Sequence, residues 1–158
     1  MGNLNMLVIH CTDTPPLREV TSAEVRFWHT APPPAGRGWG QVGYADMIHL
    51  NGVVENLVPH DENQMVDPSE ITNGAQGYNS NSRHVVYVGG MSASGSAQDT
   101  RTPLQSMALA GYVKKFLQLH PTCKVAGHNQ LAAKACPSFD VPAWLRSIGI
   151  NEINIYKK

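Results

Sequence analysis

The sequence has neither an excess of one charge nor a long apolar run. Its 12 Lys and Arg residues balance 12 Asp and Glu residues, so the formal net charge is +0. Basic surfaces bind nucleic acids and anionic membranes, and neither partner is predicted here. No apolar stretch approaches the roughly 20 residues of a spanning helix, so membrane insertion is not expected. The N-terminal segment lacks a basic region before its short apolar run, which predicts synthesis in the cytoplasm without a signal peptide.

Cysteine is scarce as well, and several catalytic motifs are missing. Three cysteines, an odd number, argue against a disulfide framework and favour ligation or burial. The glycine-rich stretches have neither GxGxxG nor P-loop spacing, so no nucleotide site is predicted. There is no GxSxG elbow for a Ser-His-Asp hydrolase, and there is no HExxH segment to supply a glutamate base.

The order of the predicted elements indicates a single α/β domain. The 158 residues are enough for one core and too few for two ordinary domains. Short apolar runs predict strands, capping boxes predict helix starts, and Asn51-Gly52 predicts a hairpin turn. The predicted strands are 5–10, 43–50, 53–58, 84–90 and 124–126, and the predicted helices are 21–31, 102–120 and 140–149. We expect a mixed central sheet flanked by helices, spanning residues 1–158, with its core at about 5–149 and a peripheral tail at 150–158.

The candidate site combines one N-terminal histidine with a C-terminal loop. His10 ends the first strand, and GHNQLAAKACPSFD carries His128, Lys134 and Cys136 just after the last one. If these strands run parallel, both histidines lie at carboxyl-terminal strand ends, where α/β sheets place their sites. Imidazole and thiolate suit zinc, and a catalytic zinc needs only three protein ligands plus a water acidified toward a pKa of about 7. The sequence therefore predicts a metal-dependent hydrolase centre.

Other polar and aromatic residues have simpler interpretations. The remaining histidines are interpreted as surface or satisfied core residues: His29, His49, His60, His84 and His120. Cys123 is expected to be buried, and Cys11 should point into packing because it alternates with His10 along the strand. Tyr44, at the start of the hairpin, could hydrogen-bond the water or an oxyanion, and Lys134 could stabilise that oxyanion. A packed aromatic and a solvated surface lysine are equally compatible with these two positions.

Five segments together resemble a known family. VIHCTDTP, GWGQVGY, GYNSNS, YVGG and GHNQLAAKACPSFDV are similar, in collinear order, to segments of the zinc-dependent N-acetylmuramoyl-L-alanine amidases. The similarity is greatest to the amidases of T7-type phages, and peptidoglycan recognition proteins share the fold. The resemblance implies Zn²⁺ held by His10, His128 and Cys136, with Tyr44 and Lys134 assisting catalysis. It also implies a peptidoglycan substrate, cleaved between N-acetylmuramic acid and L-alanine after the protein, expected as a monomer, reaches the cell wall.

The same resemblance leaves alternatives and departures. A noncatalytic peptidoglycan-binding module is one alternative, although such relatives typically lack the cysteine found here at Cys136. A metal-independent thiol hydrolase using Cys11 or Cys136 is another. Gly74 and Val58 stand where relatives often have a site-facing histidine and an arginine, so substrate contacts are expected to differ. No substrate-binding residue is assigned.

Overall fold

A five-stranded mixed sheet forms the centre of the molecule. The computed structural model describes residues 2–158. The strands, in chain order, are β1 (Gly2–Asn3), β2 (Met6–Cys11), β3 (Asp46–Ile48), β4 (Val54–Asn56), β5 (Met65–Val66), β6 (Ser82–Tyr87) and β7 (Lys124–Gly127). The central sheet has the order β4-β3-β6-β2-β7, while β1 and β5 pair separately. Only β4 runs antiparallel to its neighbour in the central sheet, so the predicted mixed sheet is confirmed.

The three predicted helices begin just after their predicted capping residues, and a short fourth helix, at His128–Leu131, was not predicted. They are α1 (Ser22–Thr30), α2 (Pro103–Leu119), α3 (His128–Leu131) and α4 (Val141–Ser147), and three single 3-10 turns lie at Pro68–Glu70, Asn79–Asn81 and Glu152–Asn154. Thr21 and Thr102 accept hydrogen bonds from the backbone three residues on, completing the capping boxes. None of the helices within residues 2–158 is long and apolar enough to cross a membrane.

The two faces of the sheet carry separate parts of the core. On one face, alternate residues of β2, β6 and β7 pack against α2 and α4; they include Leu7, Ile9, Cys11, Val85, Tyr87, Val125, Leu109, Val113, Phe116 and Leu145. On the other face, Val25 of α1 packs with Met47 and Val86. Because strand side chains alternate between faces, His10 belongs to this second face and Cys11 to the first. Cys11 and Cys123 are both buried, as predicted.

Several boundaries differ from the sequence prediction. The hairpin strands are shorter than predicted, so Tyr44 precedes β3 instead of starting it. β6 begins at Ser82 and ends at Tyr87, which places His84 inside the strand. The prediction of a peripheral tail is wrong for two residues, since Asn154 and Ile155 are buried. The Asn154 amide donates hydrogen bonds to the carbonyls of Pro121 and Cys123, and this anchors the tail beside β7.

Candidate metal centre

His10 occupies the second-last position of β2, which lies between β6 and β7 in the central sheet. Its neighbours β6 and β7 both run parallel to β2, so carboxyl-terminal strand ends surround it. The side chain is only 1% exposed, and it is held by packing on three sides. Tyr44, His84 and His128 contribute rings whose centroids lie 5.1, 5.0 and 4.7 Å from the His10 ring.

His128 reaches the same place from the end of β7. Ile9 of β2 pairs with Gly127, the last residue of β7, so the residues that follow them, His10 and His128, lie side by side. Gly127 has little room for a side chain, because an added Cβ would lie 2.7 Å from Val141 Cγ2 and 2.7 Å from Asn129 Oδ1. This glycine therefore lets Val141 and Asn129 pack closely against the end of β7, directly before His128.

A tightly anchored loop delivers Cys136. The backbone N–H of Cys11 donates to Cys136 Sγ at 3.2 Å. The buried Tyr87 hydroxyl donates to the Pro137 carbonyl at 2.7 Å, and Ser138 Oγ donates to the Gly90 carbonyl at 2.8 Å. Three hydrogen bonds to the ends of β2 and β6 thus fix the cysteine against the sheet edge.

The three side chains fit a tetrahedral zinc ion. One ligand atom from each of His10, His128 and Cys136 lies within 4.8 Å of the others. The His10 Nδ1 to Cys136 Sγ distance is 3.7 Å, and tetrahedral zinc with ordinary Zn–N and Zn–S bonds separates such atoms by about 3.6 Å. Two nitrogens and one sulfur leave a fourth position free, as in catalytic zinc sites.

Burial keeps the imidazoles of this site neutral. Burial, and then the neighbouring His84 and His128, hold the pKa of His10 well below its ordinary value. Burial, and then Lys134, lower the pKa of His128. Both histidines therefore have an unprotonated nitrogen at neutral pH, which is the form that binds metal.

The pKa of Cys136 is raised, whereas those of the two histidines are lowered. The neighbouring Cys11 side chain, and then burial, raise the pKa of Cys136. Its thiolate requires a positive partner, because two neighbouring thiols in a buried setting cannot both ionise cheaply. A divalent cation between Cys136 and the two imidazoles would be that partner.

Tyr44 and Lys134 line the same groove as the three candidate ligands. The groove has a volume of about 920 Å³. Tyr44 is half-buried, and Lys134 is exposed. Burial raises the pKa of Tyr44, so its hydroxyl stays protonated and can donate. Thus all five residues that the sequence analysis singled out lie around one groove.

Sequence reasoning missed two histidines of this site, His29 in the groove lining and His84 buried behind His10. His29 Nδ1 accepts the backbone N–H of Gly43 at 2.9 Å, and burial, then Arg37, lower its pKa to about 4. His84 is fully buried, and its Nδ1 lies 2.8 Å from His10 Nε2. Burial lowers the pKa of His84 to about 3. The register that pairs Val8 with His84 was the missing signal, because it places His84 on the face of His10.

Val58 and Gly74, which stand where relatives often have an arginine and a histidine, differ in their position relative to the groove. Val58 is buried in the core beneath α1 and does not line the groove. Gly74 does line it, and a Cβ there would lie 2.4 Å from His84 Nδ1. The space next to Gly74 is therefore occupied by the His84 ring.

Proteins of similar sequence include phage endolysins. No family model matches the chain. It is 33% identical over 139 residues to the endolysin of Enterobacteria phage K11, covering 88% of this chain and 83% of that protein. It is also 33% identical over 138 residues to the endolysin of Escherichia phage T7, covering 87% of this chain and 83% of that protein.

Solved structures share the fold at lower sequence identity. The N-acetylmuramoyl-L-alanine amidase LysC from Clostridium intestinale URNW is 19% identical, with a TM-score of 0.71 over 95% of this chain and 88% of that one. Drosophila PGRP-LB is 19% identical, with a TM-score of 0.68 over 98% and 86%. These similarities establish the fold.

Proposed function

The chain belongs to the family of the T7-type phage endolysins, and we propose that it hydrolyses peptidoglycan with a zinc ion held by His10, His128 and Cys136. The bond cleaved is the amide between N-acetylmuramic acid and L-alanine of the stem peptide. The protein is therefore an N-acetylmuramoyl-L-alanine amidase that acts on the bacterial cell wall. The single observation that carries the zinc assignment is the convergence of two imidazoles and one thiol at a groove floor.

The bound zinc would supply Lewis acidity and lower the pKa of a coordinated water toward about 7. The chain supplies the remaining groups. The Tyr44 ring packs against His10 and carries a protonated hydroxyl, and Lys134 lies close enough to His128 to lower the pKa of that histidine. Both can donate to the negative oxygen that develops when the amide carbonyl is attacked.

The groove suits a substrate that is part sugar and part peptide. Asn73, Gln76 and Asn79 offer amides along its wall, and Trp39 offers an aromatic face. Arg37 lies over Trp39, with its guanidinium carbon 5.2 Å from the ring centroid. These side chains can form hydrogen bonds and stacking contacts with sugar and peptide groups that carry no charge.

Product analysis tests the reaction. Purified protein incubated with muropeptides should release peptides that begin with L-alanine and sugars that end in a free lactyl group, as identified by mass spectrometry. New reducing sugar ends would instead indicate a glycosidase. Binding without any cleavage would favour the noncatalytic module.

Metal dependence tests the centre itself. Metal analysis should find about one zinc per chain, consistent with a single three-ligand site. A chelator should abolish cleavage, added zinc should restore it, and Cys136→Ser should lower zinc content. Activity that survives the chelator but is lost on thiol alkylation would support a Cys-His hydrolase and contradict the zinc assignment.

A further inference from the structure

His84 is a fully buried imidazole in β6 that the proposed reaction does not use. Its partner in the sheet register is Val8, two residues before His10 on β2. Residues two apart on a strand share a face, so His84 and His10 project to the same side. There, His84 Nδ1 and His10 Nε2 lie 2.8 Å apart, which is hydrogen-bond distance.

The direction of this hydrogen bond follows from the other nitrogen of His10. His10 Nδ1 faces Cys136 Sγ at 3.7 Å, which leaves Nε2 to face His84. A neutral imidazole that ligates a metal through Nδ1 carries its proton on Nε2, and that N–H needs an acceptor. His84 Nδ1 is therefore the acceptor, and His84 carries its own proton on Nε2.

Packing alone does not explain a histidine at this position. His84 Nε2 is buried and has no hydrogen-bond partner among residues 2–158. A buried polar group without a partner is unfavourable, and an apolar side chain in the strand would avoid that penalty. The contact made by the other nitrogen, His84 Nδ1, therefore explains a histidine here better than packing does.

The surrounding chain leaves room for this ring. A Cβ on Gly74 would lie 2.4 Å from His84 Nδ1 and 2.5 Å from His84 Cγ. Real Cβ atoms do not approach other atoms so closely, so a side chain at position 74 and the present position of the His84 ring are incompatible.

We propose that His84 is a positioning residue for His10: it accepts the His10 Nε2–H and thereby fixes the orientation and tautomer in which Nδ1 meets the metal. Partners of this kind orient metal-binding histidines in many proteins, commonly as carboxylates or carbonyls. Here, the partner is a second imidazole supplied by the neighbouring strand. The inference rests on the proposed function, because it assumes that His10 binds zinc.

Zinc affinity, measured by competition with a chromophoric chelator, tests this role without any substrate. His84→Leu removes the acceptor and should weaken zinc binding about 10- to 100-fold. His84→Asn should bind nearly as wild type does, because its Oδ1 takes the place of Nδ1 and can accept the same proton. Val8→Ala is the matched control, since it disturbs packing beside His84 without touching the hydrogen bond.

Each outcome bears on the proposal. If His84→Leu binds zinc as tightly as wild type, the proposal is overturned. It is also overturned if Val8→Ala weakens zinc binding as much as His84→Leu does, or if His84→Asn does so. In zinc-loaded protein with ¹⁵N-labelled histidine, NMR should show His84 protonated on Nε2, and a proton on Nδ1 would also overturn it. Absence of zinc from the wild-type protein would instead remove the metal centre, and this role with it.

Discussion

Replacing His84 by asparagine should reduce the loss of unfolding free energy that the metal-free protein shows at acid pH. Burial lowers the pKa of His84 in the folded chain to about 3, against 6.5 for a free histidine. Between about pH 3 and pH 6.5, His84 binds a proton in the unfolded chain but not in the folded chain. The free energy of unfolding must therefore fall as the pH drops below 6.5, and the fall continues to about pH 3. Asparagine does not titrate, so the variant lacks this component.

The size of the effect follows from the difference between the two pKa values. Each pH unit inside the window is worth about 1.36 kcal/mol. From pH 7 to pH 5 the wild-type protein should lose about 2 kcal/mol more than His84→Asn does. The other buried histidines are present in both proteins, so their contributions largely cancel in the comparison.

Urea unfolding of chelator-treated protein, followed by tryptophan fluorescence at pH 5, 6, 7 and 8, measures this difference. His49→Asn is a control of opposite sign. Although burial lowers the pKa of His49, its contacts with Glu19 and Glu55 at 2.9 and 2.8 Å raise it overall. Wild type thus gains stability from His49 on acidification, and His49→Asn loses that gain. Equal pH dependence in wild type and His84→Asn would refute the reasoning.

Three further predictions concern the groove and its supports. Lys134→Ala should lower turnover roughly 10²-fold at unchanged zinc content; equal loss of both, measured on one preparation, would make the lysine structural. Tyr87→Phe should lower the free energy of unfolding by about 1–2 kcal/mol, because the Pro137 carbonyl loses its donor, and an unchanged urea midpoint would contradict this. Gly74→Ala should destabilise the protein because the added Cβ meets the His84 ring. Gly111→Ala is the control: its Cβ meets open space in α2, so this variant should be more stable by about 0.5–1 kcal/mol. A similar shift of the melting temperature in both variants would show that the contact at position 74 does not destabilise the protein.

Much of the fold could be predicted because its signals are local. The capping boxes at Thr21 and Thr102 and the turn at Asn51-Gly52 specify backbone geometry within a few residues. The convergence of His10 and His128 could also be anticipated, since parallel strands bring their carboxyl-terminal ends to one edge. The buried tail could not, because the Asn154 amide finds its acceptors about thirty residues back along the chain.

His84 shows why the rest of the site lay beyond the sequence. A histidine within a run of β-branched residues has the pattern of an ordinary buried strand, and nothing local separates a core imidazole from one that contacts a candidate metal ligand. The distinction depends on the register between β2 and β6, which joins residues 74 positions apart. A shift of that register by one residue would move the His84 side chain to the opposite face from His10.

Gly74 has to be interpreted together with His84. Considered alone, the glycine suggests the loss of a site-facing imidazole and of whatever that imidazole contacted. In the folded chain the volume next to Gly74 holds the His84 ring, which reaches His10 from the neighbouring strand. An imidazole is thus present in this part of the site, but it comes from the rigid sheet instead of a loop. Because β6 is fully buried and paired on both sides, it can hold the His10 ring in one orientation before any metal binds, which is the property expected of a positioning residue.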